Sequence, residues 1–214
     1  MKLYGFWRSS AAYRVRIALA LKGLSYDYAS VQLAKGEQYG SEYAAINPQN
    51  LVPVLEEDGY RLYQSLAIIE YLEETHPEPR LIPEDPVERN RVRSLALIIA
   101  CEIHPLNNPR VLNYLIGNFG VTEEQKLAWY RHWVATGFTP LEKRLTGEPW
   151  TGRFCHRDTP GFADIALVPQ VVNARRFKID LTAFPTIQRI DAECMKLDAF
   201  RKAAPENQPD AEQV

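Results

Sequence analysis

Four prolines (Pro77, Pro79, Pro83 and Pro86) fall within positions 76–86, and nothing else in this 214-residue chain constrains its fold as much. Proline lacks the N–H that a helix interior or a central strand must donate, so this stretch can be neither. It reads as a linker between two segments of different texture. The organisation expected is a first domain over 1–80 and a second over 87–214, joined through 76–86.

Before the linker, short strand-like runs alternate with helical ones. Residues 3–6 predict a strand and 14–22 a helix, which Gly23 ends as a C′ glycine would. Residues 26–31 predict a second strand. Strand, helix, strand implies a parallel pair with a right-handed crossover. Runs at 52–56 and 60–63 flank Glu57-Asp58-Gly59, an Asp-Gly hairpin signal. Leu66, Ile68, Ile69 and Leu72 then recur at helical spacing over 65–74. After the linker, helical patterns occupy 87–103, 108–118, 122–145, 161–174 and 186–203, with no alternating strand. Residues 205–210 are polar and read as a frayed end. The fold class is therefore α/β plus all-α.

The formal charge of −2 leaves no basic footprint for nucleic acid. No apolar run approaches a membrane span, and no leader-like segment precedes the first strand. Cys101, Cys155 and Cys194 form no CxxC and no metal-ligand cluster with the four histidines. They read as core thiols in a reducing cytoplasm, with no metal expected.

The chemistry concentrates in few places. Ser9 and Ser10 stand where the first strand turns into a helix, whose open N–H groups suit a small polar ligand. Arg14 and Arg16 follow, where the helix dipole would favour acids. Ser65 is a good N-cap for its helix. From the residues alone, Val52-Pro53 reads as a trans proline opening an edge strand. His104 and Asn108 are four apart, the spacing of one helix face, although Pro105 and Pro109 disturb that geometry. Arg8, Arg110 and Arg176 are ordinary surface cations until something brings them together.

Ser9-Ser10-Ala11-Ala12-Tyr13-Arg14-Val15-Arg16-Ile17-Ala18-Leu19 resembles the signature Ser-Ser-Cys-x-x-Arg-Val-Arg-Ile-Ala-Leu of the zeta-class glutathione transferases, with Ala11 in place of the cysteine. Three further marks agree in order: Asn47-Pro48-Gln49-Asn50-Leu51-Val52-Pro53-Val54-Leu55, Gln64-Ser65, and Gly161-Phe162-Ala163-Asp164. The resemblance covers nearly the whole chain. It implies a thioredoxin-like glutathione-binding domain and a helical substrate-binding domain.

By the same resemblance the Val52–Pro53 bond is cis, and glutathione is held by Gln49, Val52, Gln64, Ser65, Glu102, His104 and Asn108. Glu102 would act from a neighbouring subunit, which presumes a homodimer. Ser9 or Ser10 would hydrogen-bond the glutathione sulfur. Arg8, Arg110 and Arg176 would bind the carboxylates of a small dicarboxylate, with bidentate pairing orienting it. For His104, a satisfied buried histidine is the even alternative. Gly161 would stand at the N-cap of a helix with Asp164, a structural site.

The implied activity is glutathione-dependent cis–trans isomerisation of maleylacetoacetate. The alternatives are maleylpyruvate as substrate, a more general glutathione transferase, and a noncatalytic glutathione-binding module. Reductive dehalogenation needs a cysteine to resolve a mixed disulfide, and Ala11 removes the candidate.

Overall fold

The computed structural model describes residues 1–211. Two compact units emerge, one of residues 1–81 with 195–211 and the other of residues 82–194.

In the first unit, β1 (Lys2–Gly5) is followed by α1 (Ser10–Leu21), β2 (Asp27–Ser30), the one-turn α2 (Ser41–Ala44), β3 (Val54–Glu57), β4 (Tyr60–Tyr63) and α3 (Ser65–Thr75). The sheet order is β2-β1-β3-β4. β1 and β2 are parallel, with Leu3 opposite Tyr28, and the β1–β3 and β3–β4 pairs are antiparallel. The parallel pair and the hairpin are those the sequence predicts. Leu3, Val15, Ile17, Leu19, Val54, Leu55, Ile68, Ile69 and Leu72 are fully buried between sheet and helices. α1 starts four residues before the predicted position because Ser9 caps it, its Oγ accepting the Ala12 N–H. The Val52–Pro53 and Glu78–Pro79 bonds are cis, so Val52-Pro53 follows the resemblance and not the residue-level reading.

The proline-rich segment is tied down at its first half. The buried Lys22 ammonium pairs with Glu73 at 2.8 Å and also donates to the His76 and Pro79 carbonyls. Glu73 in turn accepts the Leu81 N–H.

The expected helix over 186–203 divides into α8 (Pro185–Cys194) and α9 (Asp198–Ala203). α9 belongs to the first unit, where the Tyr13 hydroxyl donates to the Phe200 carbonyl at 3.0 Å and Arg16 Nε to the Ala203 carbonyl at 2.9 Å. Residues 195–211 thus separate from the helical unit to which the predicted division assigned them. Residues 205–210 are not frayed either: Pro205 and Gln208 are buried, and Gln208 Nε2 donates to the Ala204 and Lys202 carbonyls.

The second unit is helical. α4 (Pro86–Leu97) opens on an Asp85 cap with Pro86 in its first turn, and α5 (Pro109–Phe119), α6 (Glu123–Gly147), α7 (Phe162–Arg176) and α8 follow. α4 continues through Ile98–Ile103 with wider turns, in which the His104 N–H reaches back five residues to the Ile99 carbonyl. Such π-helical turns are uncommon and recur at functional sites. Residues 162–171 of α7 are buried on every face, which makes it the central helix of this unit. Asp164 accepts the Gly161 and Cys155 N–H groups, so the part of a capping box that a glycine permits is in place.

Candidate active site

β1 delivers the chain into a turn at Phe6-Trp7-Arg8-Ser9, where the Ser9 N–H donates to the Phe6 carbonyl at 2.9 Å. Ser9 has extended backbone angles, and its Oγ accepts the Ala12 N–H at 3.2 Å. A hydroxyl that accepts there keeps its proton to donate outward, so capping and ligand contact are compatible in one residue. Ser10 is the first helical residue and is buried. Arg8 is exposed, its guanidinium 5.3 Å from the Trp7 ring centroid.

The two signature arginines are buried and point inward. Arg16 donates to the Phe6 and Trp7 carbonyls, at 3.4 and 3.0 Å, as well as to Ala203. Burial pulls its pKa down, opposed by the Asp210 carboxylate. Arg14 NH1 donates to Ser65 Oγ at 3.3 Å.

Ser65 is not the cap that its residue type suggests. The cap position of α3 falls on Gln64, and no side chain there accepts a helix N–H. With no side-chain cap, as at α2 and α9, the start of α3 keeps open donors that suit an anion. Gln64 itself has φ 65° and ψ 115°, a conformation that costs a non-glycine residue on the order of 1–3 kcal/mol and clusters at functional sites. Its side-chain Nε2 donates to Gln49 Oε1 at 3.1 Å. Val52, buried, lies two residues before β3, and Asn47 and Tyr43 anchor the neighbouring Leu51 carbonyl. The first unit therefore brings Ser9, Gln49, Val52, Gln64 and Ser65 onto the loops around one end of the sheet and the starts of α1 and α3.

In the second unit, Glu102 and the exposed Cys101 lie on the π-helical turns; Cys101 is therefore not a core thiol. His104 follows, half-buried. His104 and Asn108 do not share a helix face, because residues 104–108 form a turn and Asn108 caps α5, its Oδ1 accepting the Arg110 N–H at 3.0 Å. Arg110 is exposed in the first turn of α5.

At the end of α7 the two arginines differ. Arg175 pairs with buried Asp191 at 2.6 Å, whereas the Arg176 guanidinium lies 4.8 Å from the Phe177 ring centroid. Beside it, Tyr130 stacks on Phe177, and burial pushes the Tyr130 phenol up to about 12, against the influence of the Arg176 charge. Burial also pushes the Cys155 and Cys194 thiols well up, so neither is a nucleophile at neutral pH. Among the described residues no cluster of His, Cys, Asp and Glu could hold a metal ion, and no helix is long and apolar enough to cross a membrane.

Sequence reasoning passed over three features. The left-handed φ of Gln64 and the π-helical turns have no local signature. The Arg14–Ser65 contact joins residues 51 positions apart, and only the oddity of arginines early in α1 hinted at it.

Residues 1–74 match the family Glutathione S-transferase, N-terminal domain. A probable maleylacetoacetate isomerase of Vibrio cholerae is 53% identical over 98% of this chain and 97% of its own. A maleylpyruvate isomerase of a Ralstonia species is 51% identical over 99% of this chain and 100% of its own. Among solved structures, a bacterial zeta-class maleylpyruvate isomerase superposes with a TM-score of 0.97 at 51% identity, covering 99% of this chain and 100% of that one. A Methylobacterium extorquens maleylacetoacetate isomerase with bound malonate and glutathione gives 0.96 at 47%, with 100% of each chain covered. One from Anaeromyxobacter dehalogenans, with dicarboxyethyl glutathione and citrate in its active site, gives 0.88 at 45%, covering 99% of this chain and 97% of that one.

Proposed function

The chain belongs to the glutathione transferase family, in its zeta class, and from that premise we propose that it is a glutathione-dependent cis–trans isomerase that converts maleylacetoacetate to fumarylacetoacetate. The observation that carries this is the Ser9 turn: a serine that caps α1 and still has a proton to donate, beside an α3 whose first N–H groups no side chain satisfies.

Glutathione, when bound, supplies the thiolate that adds reversibly to a double bond conjugated to a ketone, allows rotation, and leaves. Ser9 donates a hydrogen bond to the sulfur, helped by the N-terminal end of α1, and so favours the thiolate over a free thiol of pKa about 8.5. Ser10 is the second candidate for that contact. Ser65 and the start of α3 receive the γ-glutamyl carboxylate, with the Arg14 charge behind them. The Val52 backbone pairs with the cysteinyl part as an added strand would, and Gln49 and Gln64 add neutral hydrogen bonds. His104 and Asn108 complete the glutathione contacts, and Glu102 reaches the γ-glutamyl ammonium of the neighbouring subunit in a homodimer. Arg8, Arg110 and Arg176 bind the substrate carboxylates. Arg175 pairs with Asp191 instead. Residues 1–80 are then the glutathione-binding domain, and the helices from residue 87 carry the substrate cations. A cytoplasmic location accompanies this reading, as does a place in the catabolism of aromatic compounds.

Maleylpyruvate is the second reading, favoured by the near-equal identity to relatives of both kinds. Assaying both acids side by side with glutathione separates the two, the preferred substrate having the higher kcat/KM. Arg176→Ala is expected to lower kcat/KM for the diacid about 10- to 100-fold while leaving glutathione affinity unchanged. Unchanged turnover at low substrate would remove Arg176 from the site. A calorimetric titration with no glutathione binding would rule out every glutathione-binding reading and leave only a noncatalytic interaction module of the glutathione transferase fold.

A further inference from the structure

The segment just beyond α9 reaches the turn that precedes Ser9. Asp210 Oδ2 accepts the backbone N–H of Trp7 at 3.1 Å, across 203 residues of sequence. The same oxygen accepts from Ser30 Oγ at 2.8 Å, the Tyr28 hydroxyl at 3.2 Å and, longer, Gln32 Nε2 at 3.5 Å. These donors stand at Tyr28 and Ser30 in β2 and just past it at Gln32, beside the end of β1 that leads into the turn. Burial, then the Asp210 charge, pushes the Tyr28 phenol up, so it remains a donor.

The other side of the Trp7 peptide is held as well. Arg16 NH2 donates to the Trp7 carbonyl at 3.0 Å, and its NH1 to the Phe6 carbonyl that also receives the Ser9 N–H. Trp7 thus has its N–H fixed by a carboxylate and its C=O by a guanidinium, two residues before the serine. A charge-assisted bond at a buried backbone N–H is stronger than a neutral one and leaves the peptide plane little freedom. Fixing that plane fixes the direction in which Ser9 leaves the turn.

We propose that Asp210 is a positioning residue for the sulfur site, acting through Trp7 to aim the Ser9 hydroxyl. The inference rests on the glutathione reading above. Its measure is the pH midpoint of the thiolate absorbance of enzyme-bound glutathione, taken together with kcat, KM and melting temperature. Asp210→Ala is expected to raise the midpoint by about one pH unit and lower kcat at neutral pH about tenfold, with KM for the diacid unchanged. Asp210→Asn keeps an oxygen to accept the Trp7 N–H and should recover most of both. Ser30→Ala leaves the Trp7 contact in place and should titrate as wild type. Should the alanine variant not fold, Asp210→Glu displaces the carboxylate while keeping its charge, and its midpoint should rise too. An unmoved midpoint in Asp210→Ala or Asp210→Glu, or a Ser30→Ala shift as large as theirs, overturns the proposal. A wild-type protein that yields no thiolate band overturns the glutathione reading and this inference together, whereas a band that the variants leave in place overturns only the inference.

Discussion

The two units use buried polar residues differently. In the first, buried Arg14 and Arg16, with half-buried Ser9, touch the proposed site or the turn that carries it, so the groups that hold the fold also border the proposed site. In the second, the main polar network lies around the first turns of α4 and residues 148–157. Buried Arg91 donates there to Glu148, the Cys155 carbonyl, Thr151 and His156, while Glu88 takes His156 and Arg157. Arg110 and Arg176 are exposed elsewhere in that unit. Where fold and site share residues, one substitution should change stability and chemistry together; where they do not, each should change alone.

The largest expected effect is on stability. Arg91→Ala removes one of the two cations on Glu148, leaving it Arg144, and takes the donor from the Cys155 carbonyl and Thr151, so it should cost about 3 kcal/mol or more in chemical denaturation. Turnover per folded molecule should stay near wild type; a parallel loss of turnover would break the contrast. Ser9→Ala tests the opposite case. Loss of the hydroxyl donor should lower kcat about 100-fold or more, comparable to deleting an oxyanion-hole donor. The same change removes a helix cap at about 1 kcal/mol, so melting temperature should fall as well. Full stability with lost activity would mean that the cap contributes nothing.

Gly137→Ala is the intermediate test, because it should move both properties within the second unit. A β-carbon on Gly137 would collide with the Ile103 side chain, at the end of the π-helical turns. Overpacking of this kind costs about 1–3 kcal/mol. It would also displace the neighbours of Ile103, Glu102 and His104, and so raise KM for glutathione severalfold. A stability loss without a KM change would detach the π-helical turns from ligand binding.

What the sequence disclosed follows the same division. The strand–helix–strand order, the Asp58-Gly59 hairpin and the break at 76–86 were legible because periodicity, Asp-Gly turns and proline act locally. Ser9 was legible as the start of a helix and as a candidate contact because hydroxylic residues stand where the first strand turns into that helix. The inward Arg14 and Arg16 and the contact from Asp210 to Trp7 depend on long-range approach that no window contains. Position 65 misled for a related reason. Serine suits a cap, but the backbone of Gln64 turns left-handed and leaves Ser65 inside the helix, where its oxygen serves Arg14. The tail misled because polarity suggests solvent, while its aspartate meets four donors.

The smallest expected effect concerns pH. Burial alone would raise the Glu148 carboxyl, but hydrogen bonds and charge from Arg144 and Arg91 outweigh it and hold the group below its ordinary 4.5. A carboxylate with a depressed folded-state pKa contributes stability that is complete above its unfolded value and is lost as pH falls through the folded one. The Arg91–Glu148–Arg144 bridge should therefore support the second unit fully at neutral pH and begin to fail below about pH 4.5. Glu148→Gln should flatten that limb of the stability curve in denaturant titrations between pH 3 and 7, by roughly 1 kcal/mol at the neutral end. Because this network touches neither exposed arginine, the pH dependence of kcat between pH 6 and 8 should be the same in Glu148→Gln and wild type. A shifted profile would join the network to the chemistry, and the second unit would then resemble the first.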